Sequence, residues 1–383
     1  MKYIFYSITN DFEKFHRRNE IEALVKLSSD SKAVYFNPPV FFIKKLISVF
    51  KKKEKVKRVK HKINNVYISN LYVFFPIKWA RKSNLLMKVF VSVPIELQTW
   101  YAKKKYFYKA NGDVFSWFYK PDQYLYLKSL SPYIYLHYDN YKDDESYGFS
   151  KDSRFDKVLR ECILNSELTL VSSARLYNKY KSINESLVYY YPNAIARSLM
   201  QRPKVQKCAV NKNKSVIGFI GQLDSTFDWT LIEKIANFYP DYLIKLIGGG
   251  ASEEAVNISL KYNNIKLLGY MHYEELSSQI QSFSIGICPY KKSDFNKYRN
   301  PLKITEYFSY GLPVVTVECD VDSNARKLIT VAQTDTAFVE AIDTELKANT
   351  EDKTEQRRLF ASHNCWGNRA AFISSTLHAR RNL

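Results

Sequence analysis

NPLKITEYFSYGLPVV, residues 300–315, sets out in sixteen residues the pattern on which the whole chain is built. A polar loop runs into a short helix, a Gly-Pro turn closes it, and a buried strand follows. Gly311 and Pro313 end the helix, since glycine accepts the left-handed turn and proline cannot continue the hydrogen-bond ladder. Val314 and Val315 then open a β-type run. Lys303 and Glu306 stand three apart, so they share one helix face and can point into one crevice.

The same alternation fills the second half of the chain. A strand at 216–220, a helix at 230–238 and a strand at 242–247 ending in Gly248-Gly249-Gly250 come first. A strand at 265–267, a helix at 273–281 and a strand at 285–288 follow. The first half reads alike. It has strands at 3–8, 32–36, 114–118, 132–138, 168–172 and 188–191, a β-rich run at 66–75, and helical pieces at 12–27, 84–109 (interrupted near Pro94) and 175–180. Strands alternating with helices imply parallel sheets covered on both faces. Two such runs without internal repetition predict an α/β chain of two doubly wound, Rossmann-like domains facing across a cleft. The expected boundaries are 1–200 for the first domain, a polar linker at 201–214, 215–360 for the second domain, and a terminal segment, 361–383, with a helix at 363–377.

A chain of 383 residues suits two such domains. Its net charge of +20 is unevenly placed, with 35 Lys and Arg against 18 Asp and Glu in residues 1–200, and 23 against 20 in the rest. The field peaks at 44–62, where ten Lys or Arg, among them Lys51, Lys52 and Lys53, face one Glu behind an apolar cluster that includes Phe41 and Phe42. Apolar groups beside lysines suit an anionic membrane surface, each charge being worth roughly 1 kcal/mol there. A solvated loop or a phosphate backbone would accept the same charges, but the adjoining apolar cluster favours lipid, and no nucleic acid partner is expected. No run of about 18 apolar residues predicts a membrane-spanning helix. The five cysteines are scattered without a Cys-x-x-Cys pair, which fits a reducing cytoplasm.

Several residues carry candidate chemistry. Lys303 offers a cation for a diphosphate and Glu306 an acceptor for sugar hydroxyls, as a nucleotide-sugar requires. Gly218 and Gly221, in IGFIGQLD, sit where a strand meets a helix, and glycine there lets a backbone approach phosphate. Gly249 closes the next strand, and Tyr290, in GICPYKKSD, ends another. No cation follows Gly221 through Asp228, so phosphate charge would fall to Lys303, aided by Arg299 or Lys297. In YLHYDNYKDD, Asp139 follows a strand closely and can serve as a general base, with His137 as the alternative. Asp143 and Asp144 read as a loop or cap, and no third ligand completes a metal site. Arg17 and Arg18, on the first helix-like segment, are candidates to meet the acceptor's phosphate or the membrane.

The motif Pro301-x-Lys303-x-x-Glu306-Tyr307, with Gly311-x-Pro313-Val314-Val315, resembles the donor-binding segment of GT-B glycosyltransferases, most closely the bacterial surface-polysaccharide type that includes teichuronic acid glycosyltransferases. The resemblance implies that Glu306 holds the ribose, that Lys303 meets the phosphates, that no cofactor or essential metal is needed, and that the last helix crosses back onto the first domain. Related inverting enzymes use an aspartate in a Tyr-x-x-x-Asp context, which Tyr135 and Asp139 match. Tyr298 stands where many retaining members carry the first glutamate of Glu-x7-Glu, and a front-side retaining route is the alternative. The expected partners are a nucleotide-sugar donor, a lipid-linked glycan acceptor and the inner face of the cell membrane, with the protein cytoplasmic and peripheral. Two rivals remain: a glycerol- or ribitol-phosphate transferase on the same fold, and a non-catalytic basic protein that binds membrane or nucleic acid.

Overall fold

A computed structural model describes residues 1–15, 17–43, 62–108, 112–197, 215–271 and 273–381. They fall into two units, Met1–Pro192 with Trp366–Leu383, and Asn193–Cys365. The expected linker at 201–214 and the basic run through residue 61, with Lys51, Lys52 and Lys53, lie outside the described residues.

The first unit is built on β1 (Lys2–Tyr6), β2 (Lys32–Phe36), β3 (Val40–Phe41), β4 (Lys62–Ile63), β5 (Val66–Ser69), β6 (Tyr72–Val73), β7 (Val114–Phe118), β8 (Tyr133–His137), β9 (Leu168–Val171) and β10 (Val188–Tyr190). Eight of them form one sheet in the order β10-β9-β8-β7-β1-β2-β5-β4, parallel except for β4 against β5. β3 and β6 make a separate pair. Runs such as KYIFY and YIYLH are buried at every position, because helices cover both faces of a parallel sheet.

Helix α1 (Arg18–Lys26) begins later than the sequence suggests, since residues 12–14 form a separate 3-10 turn. The interruption expected near Pro94 is a change of helix type, with the chain staying helical. Asn84–Met87 continues through a π-helical turn, Lys88–Ser92, into α2 (Val93–Phe107). Pro94 has no N–H to give the Phe90 carbonyl four residues back, and the wider turn makes room for its ring. That carbonyl accepts instead from the Phe74 N–H at 2.9 Å, so the helix passes through proline with the lost bond replaced.

The second unit holds β11 (Val216–Ile220), β12 (Leu243–Ile247), β13 (Ile265–Gly269), β14 (Ile285–Cys288), β15 (Val314–Val317) and β16 (Thr330–Ala332). They form a parallel sheet ordered β13-β12-β11-β14-β15-β16. The order reverses between β11 and β14, which opens a crevice at their carboxyl ends. Helix α3 (Leu302–Ser309) joins β14 to β15 and lies over that reversal. It can sit close because Gly286 has no side chain: a Cβ there would fall 2.4 Å from the Tyr307 ring, whose hydroxyl accepts from the Ile220 N–H at 3.1 Å.

The helix closes as read. Gly311 takes φ +76°, its N–H donates to the Phe308 carbonyl at 2.9 Å, and the Leu312 N–H donates to Tyr307 at 3.1 Å. Beyond β16 run α4 (Asp335–Lys347), α5 (Glu351–His363) and α6 (Trp366–Arg381). The terminal helix expected at 363–377 thus starts three residues later, because Asn364 leaves helical geometry and Cys365 pairs with Ile195. α6 belongs to the first unit and packs on α1. There the Arg369 Nε donates to the Pro192 carbonyl at 3.0 Å.

Candidate active site

At the strand reversal of the second unit, the Lys303 ammonium lies 5.4 Å from the centroids of both the Phe219 and Tyr290 rings. It crosses the end of β11 at Gly221, where an added Cβ would sit 2.0 Å from Lys303 Cε and 2.5 Å from Nζ. Gly221 also has φ +141°, which favours glycine independently of space. Its carbonyl lies against Gly248, whose added Cβ would fall 1.6 Å away, so the two strand-end turns touch through bare backbone. Arg299 closes the other side. Its guanidinium sits 4.9 Å from the Tyr290 ring, and Nη1 donates to Thr226 Oγ1 at 3.3 Å.

These contacts supply what the segment after Gly221 lacks in sequence. Arg299 arrives from the loop before α3 and reaches Thr226 in space, so two cations flank the crevice. Burial, then the Arg299 charge, lowers the Lys303 pKa. Burial raises that of Glu306, against the pull of Lys303 one turn away. An anion entering here would meet both cations and relieve their mutual repulsion. Lys297 stays outside this group, exposed and bonded to Asp294 at 2.8 Å.

The remaining donor-side residues divide. Gly249 follows β12, and an added Cβ there would sit 3.6 Å from Gln222 Oε1, an ordinary contact. Tyr290 is buried and serves as a platform under the two cations. Gly218 is a correction: it lies within β11, and an added Cβ would sit 2.0 Å from the Phe283 ring. It is needed for packing and offers no backbone to a ligand. Gly248 belongs to the triple glycine already singled out in the sequence, whereas Gln222, whose amide lies beside Gly249 and Gly250, carried no signal of its own.

In the first unit, Asp139 stands half-buried two residues beyond β8, at the carboxyl edge of the sheet, and its carbonyl accepts from the Tyr141 N–H at 2.9 Å. His137 cannot share a base's work. It is fully buried, its Nδ1 is 2.5 Å from the Tyr135 hydroxyl, and the Tyr141 and Tyr180 rings close over it at 5.0 Å each. Burial, with Lys179 nearby, depresses its pKa to about 3.

That depression has a stability consequence with a defined sign. The unfolded chain binds a proton at His137 near pH 6.5, whereas the folded chain resists until about 3. Stability contributed by the neutral ring is therefore complete above 6.5 and falls as pH drops toward 3, by about 1.4 kcal/mol per unit. Urea unfolding at pH 7 and pH 5 should show the wild type losing about 2 kcal/mol more than His137→Gln.

Arg17 is a second correction. It is only 2% exposed, its Nε donates to Glu20 at 2.6 Å, and its guanidinium lies 4.7 Å from the Trp366 ring. A charge enclosed in this way is structural and meets no lipid or acceptor. Arg18 is partly exposed and paired with Glu22 at 2.7 Å.

Residues 214–347 match the family model described as Glycosyl transferases group 1. The second unit carries a group 1 glycosyltransferase domain. A putative teichuronic acid biosynthesis glycosyltransferase, TuaH of Bacillus subtilis (strain 168), is 31% identical over 114 residues, and that match spans 29% of this chain and 29% of the relative's length. Anabaena HepE, solved in complex with UDP and glucose, superposes with a TM-score of 0.66 at 12% identity, over 99% of each chain. A trehalose-6-phosphate synthase, solved in a study of glycosyltransfer with retention, gives 0.65 at 13% identity, again over 99% of each. The chain therefore has the α/β GT-B fold of these glycosyltransferases.

Proposed function

We propose that the protein transfers a glycosyl group from a nucleotide-sugar to a hydroxyl of a lipid-linked or polysaccharide acceptor in bacterial cell-surface glycan assembly. The observation that carries this reading is the Lys303 ammonium held across Gly221 at the strand reversal, with Arg299 opposite. A diphosphate there would take its charge compensation from both groups as the glycosyl–oxygen bond breaks. Glu306, one turn further along α3, is assigned to the ribose hydroxyls. With two side-chain cations in place, the reaction is proposed to need no metal.

For the acceptor, Asp139 is proposed to take the hydroxyl proton while the oxygen attacks the anomeric carbon from the face opposite the leaving diphosphate, which inverts configuration. The named study of retention in trehalose-6-phosphate synthase favours a second reading, front-side transfer without a protein base. Proton NMR of the first-formed product distinguishes the two by its anomeric coupling. The enclosure of His137 withdraws support from a phosphate-alditol transferase that would use it. Among the described residues no helix is long and apolar enough to cross a membrane. The protein is accordingly proposed to meet its acceptor from the cytoplasmic side, at the membrane surface.

A thermal-shift screen of UDP, GDP, ADP, CMP and their sugar conjugates, with EDTA present, tests the donor assignment. Ligand at about 100 times its dissociation constant should add roughly 2.7 kcal/mol of stability. One nucleotide should shift the wild type and fail to shift Glu306→Ala at the same concentration. If no nucleotide shifts the wild type, the donor assignment fails.

A further inference from the structure

The helical stretch from Asn84 to Phe107 is apolar on both sides, and only one side is covered. Ile95, Thr99, Ala102 and Phe107 of α2 face the core of the first unit. Leu85, Val89, Val93 and Leu97, spaced every four residues, then Trp100 and Tyr101, form a second stripe that is exposed throughout. Leu97 is 63% exposed and Trp100 60%. Phe90 and, from the preceding short helix, Trp79 extend the same kind of surface, Trp79 being 62% exposed.

The charges of this stretch are one-sided. Residues 74–108 contain seven Lys or Arg and one carboxylate, Glu96, which accepts a hydrogen bond from Ser129. Lys78, Lys82, Lys88, Lys104 and Lys105 are exposed. Apolar and aromatic groups on a helix face with lysines around them match the interface of an anionic bilayer, where rings sit at headgroup depth and ammonium groups reach lipid phosphates. The face also adjoins the described chain that precedes the basic run in sequence. Phe42, two residues before Lys44, packs its ring on Phe74 at 5.4 Å, and the Phe74 N–H is bonded to Phe90.

We infer that this helix face, centred on Leu97 and Trp100, is the surface by which the protein lies on an anionic membrane. It deepens the proposed acceptor reading by placing the lipid contact on residues 79–105, independently of the donor site. The contact expected from the sequence was the apolar cluster from Phe41 to Phe50 with the lysines after it; the anchor inferred here is a folded helix.

The structure also provides the probe. Of the five tryptophans, Trp117, Trp229 and Trp366 are buried, so Trp79 and Trp100 are the two that can report a change of solvent. The test is tryptophan emission and co-sedimentation with vesicles of equal parts phosphatidylglycerol and phosphatidylcholine, against vesicles of phosphatidylcholine alone. Wild type should pellet with the anionic vesicles and its emission should shift to the blue. Leu97→Asp/Trp100→Ser should partition at least about tenfold less, and Lys88→Glu/Lys104→Glu should lose the preference for anionic lipid.

Both variants should keep the wild-type melting temperature and nucleotide response, so failure of docking and failure of the donor assignment are read separately. Pelleting of Leu97→Asp/Trp100→Ser equal to wild type would overturn the inference. So would absence of binding by wild type, or light scattering that shows wild type dimeric and this variant monomeric, since the face would then belong to a second copy.

Discussion

Replacing Lys303 by alanine should lower kcat/KM for the nucleotide-sugar by about 10²–10³-fold, the loss typical of one fixed group that stabilises charge developing in the transition state. The effect is expected to be large because the ammonium is already in place. Two ring faces and a glycine define its position, so little reorganisation is needed when the diphosphate leaves. Lys303→Arg should recover little of the rate, since a planar guanidinium cannot occupy the slot across Gly221 that a point charge fits. Lys297→Ala is the control: its ammonium is exposed and already held by Asp294, and its removal should leave turnover nearly unchanged. Steady-state rates for the three variants decide the matter. Full activity in Lys303→Ala would move the diphosphate away from this crevice.

The second large effect concerns stability. Arg357 on α5 is fully buried, and burial lowers its pKa against the pull of Glu345. Its guanidinium donates to the Leu328 carbonyl at 3.2 Å, the Gly311 carbonyl at 3.4 Å, Asn349 Oδ1 at 2.6 Å and Glu345 Oε2 at 3.4 Å. One side chain thereby ties the end of α3 to α4 and to the approach to β16. Arg357→Leu would leave a carboxylate and three further acceptors without this donor, and should cost about 3–5 kcal/mol. For a unit of this size the melting temperature should fall by roughly 2–4 °C per kcal/mol. Arg357→Leu/Glu345→Leu should regain part of the loss, because the uncompensated charge is gone. Denaturant unfolding of the three proteins measures it. Equal stability of Arg357→Leu and wild type would mean water replaces the guanidinium at little expense.

How much could be read beforehand depended on the range of the interaction. The Gly311 turn and the pairing of Lys303 with Glu306 on one helix were legible because both are settled within a few residues. The strands were legible because aromatic and β-branched runs such as VFSWF admit few other readings. Arg299 was only one of two candidates, since reaching Thr226 depends on β14 lying beside β11, a contact made by residues 73 apart in sequence. Arg17 was misread as a surface residue because its cover, Trp366, comes from the other end of the chain. Alternation correctly placed His137 on the face of Tyr135, but the Tyr141 and Tyr180 rings that seal it come from outside the strand. The open face of α2 was hidden for a different reason. Residues 84–109 mix apolar and basic groups without one dominant face, so which side stays bare is decided only by what packs against the helix.

The first unit is made of two pieces, Met1–Pro192 and the terminal helix, with the whole of the second unit between them in the chain. During synthesis, therefore, the second unit has every residue it needs before the first one does. Glu20 and Arg17 are made before the second unit, yet the indole that covers the guanidinium is made only after it. Domains generally fold as units from the N-terminus onward, but here the usual order is reversed at the final step: the half that starts first is finished last. A chain cut short before Trp366 would contain the whole second unit and lack the helix that completes the first.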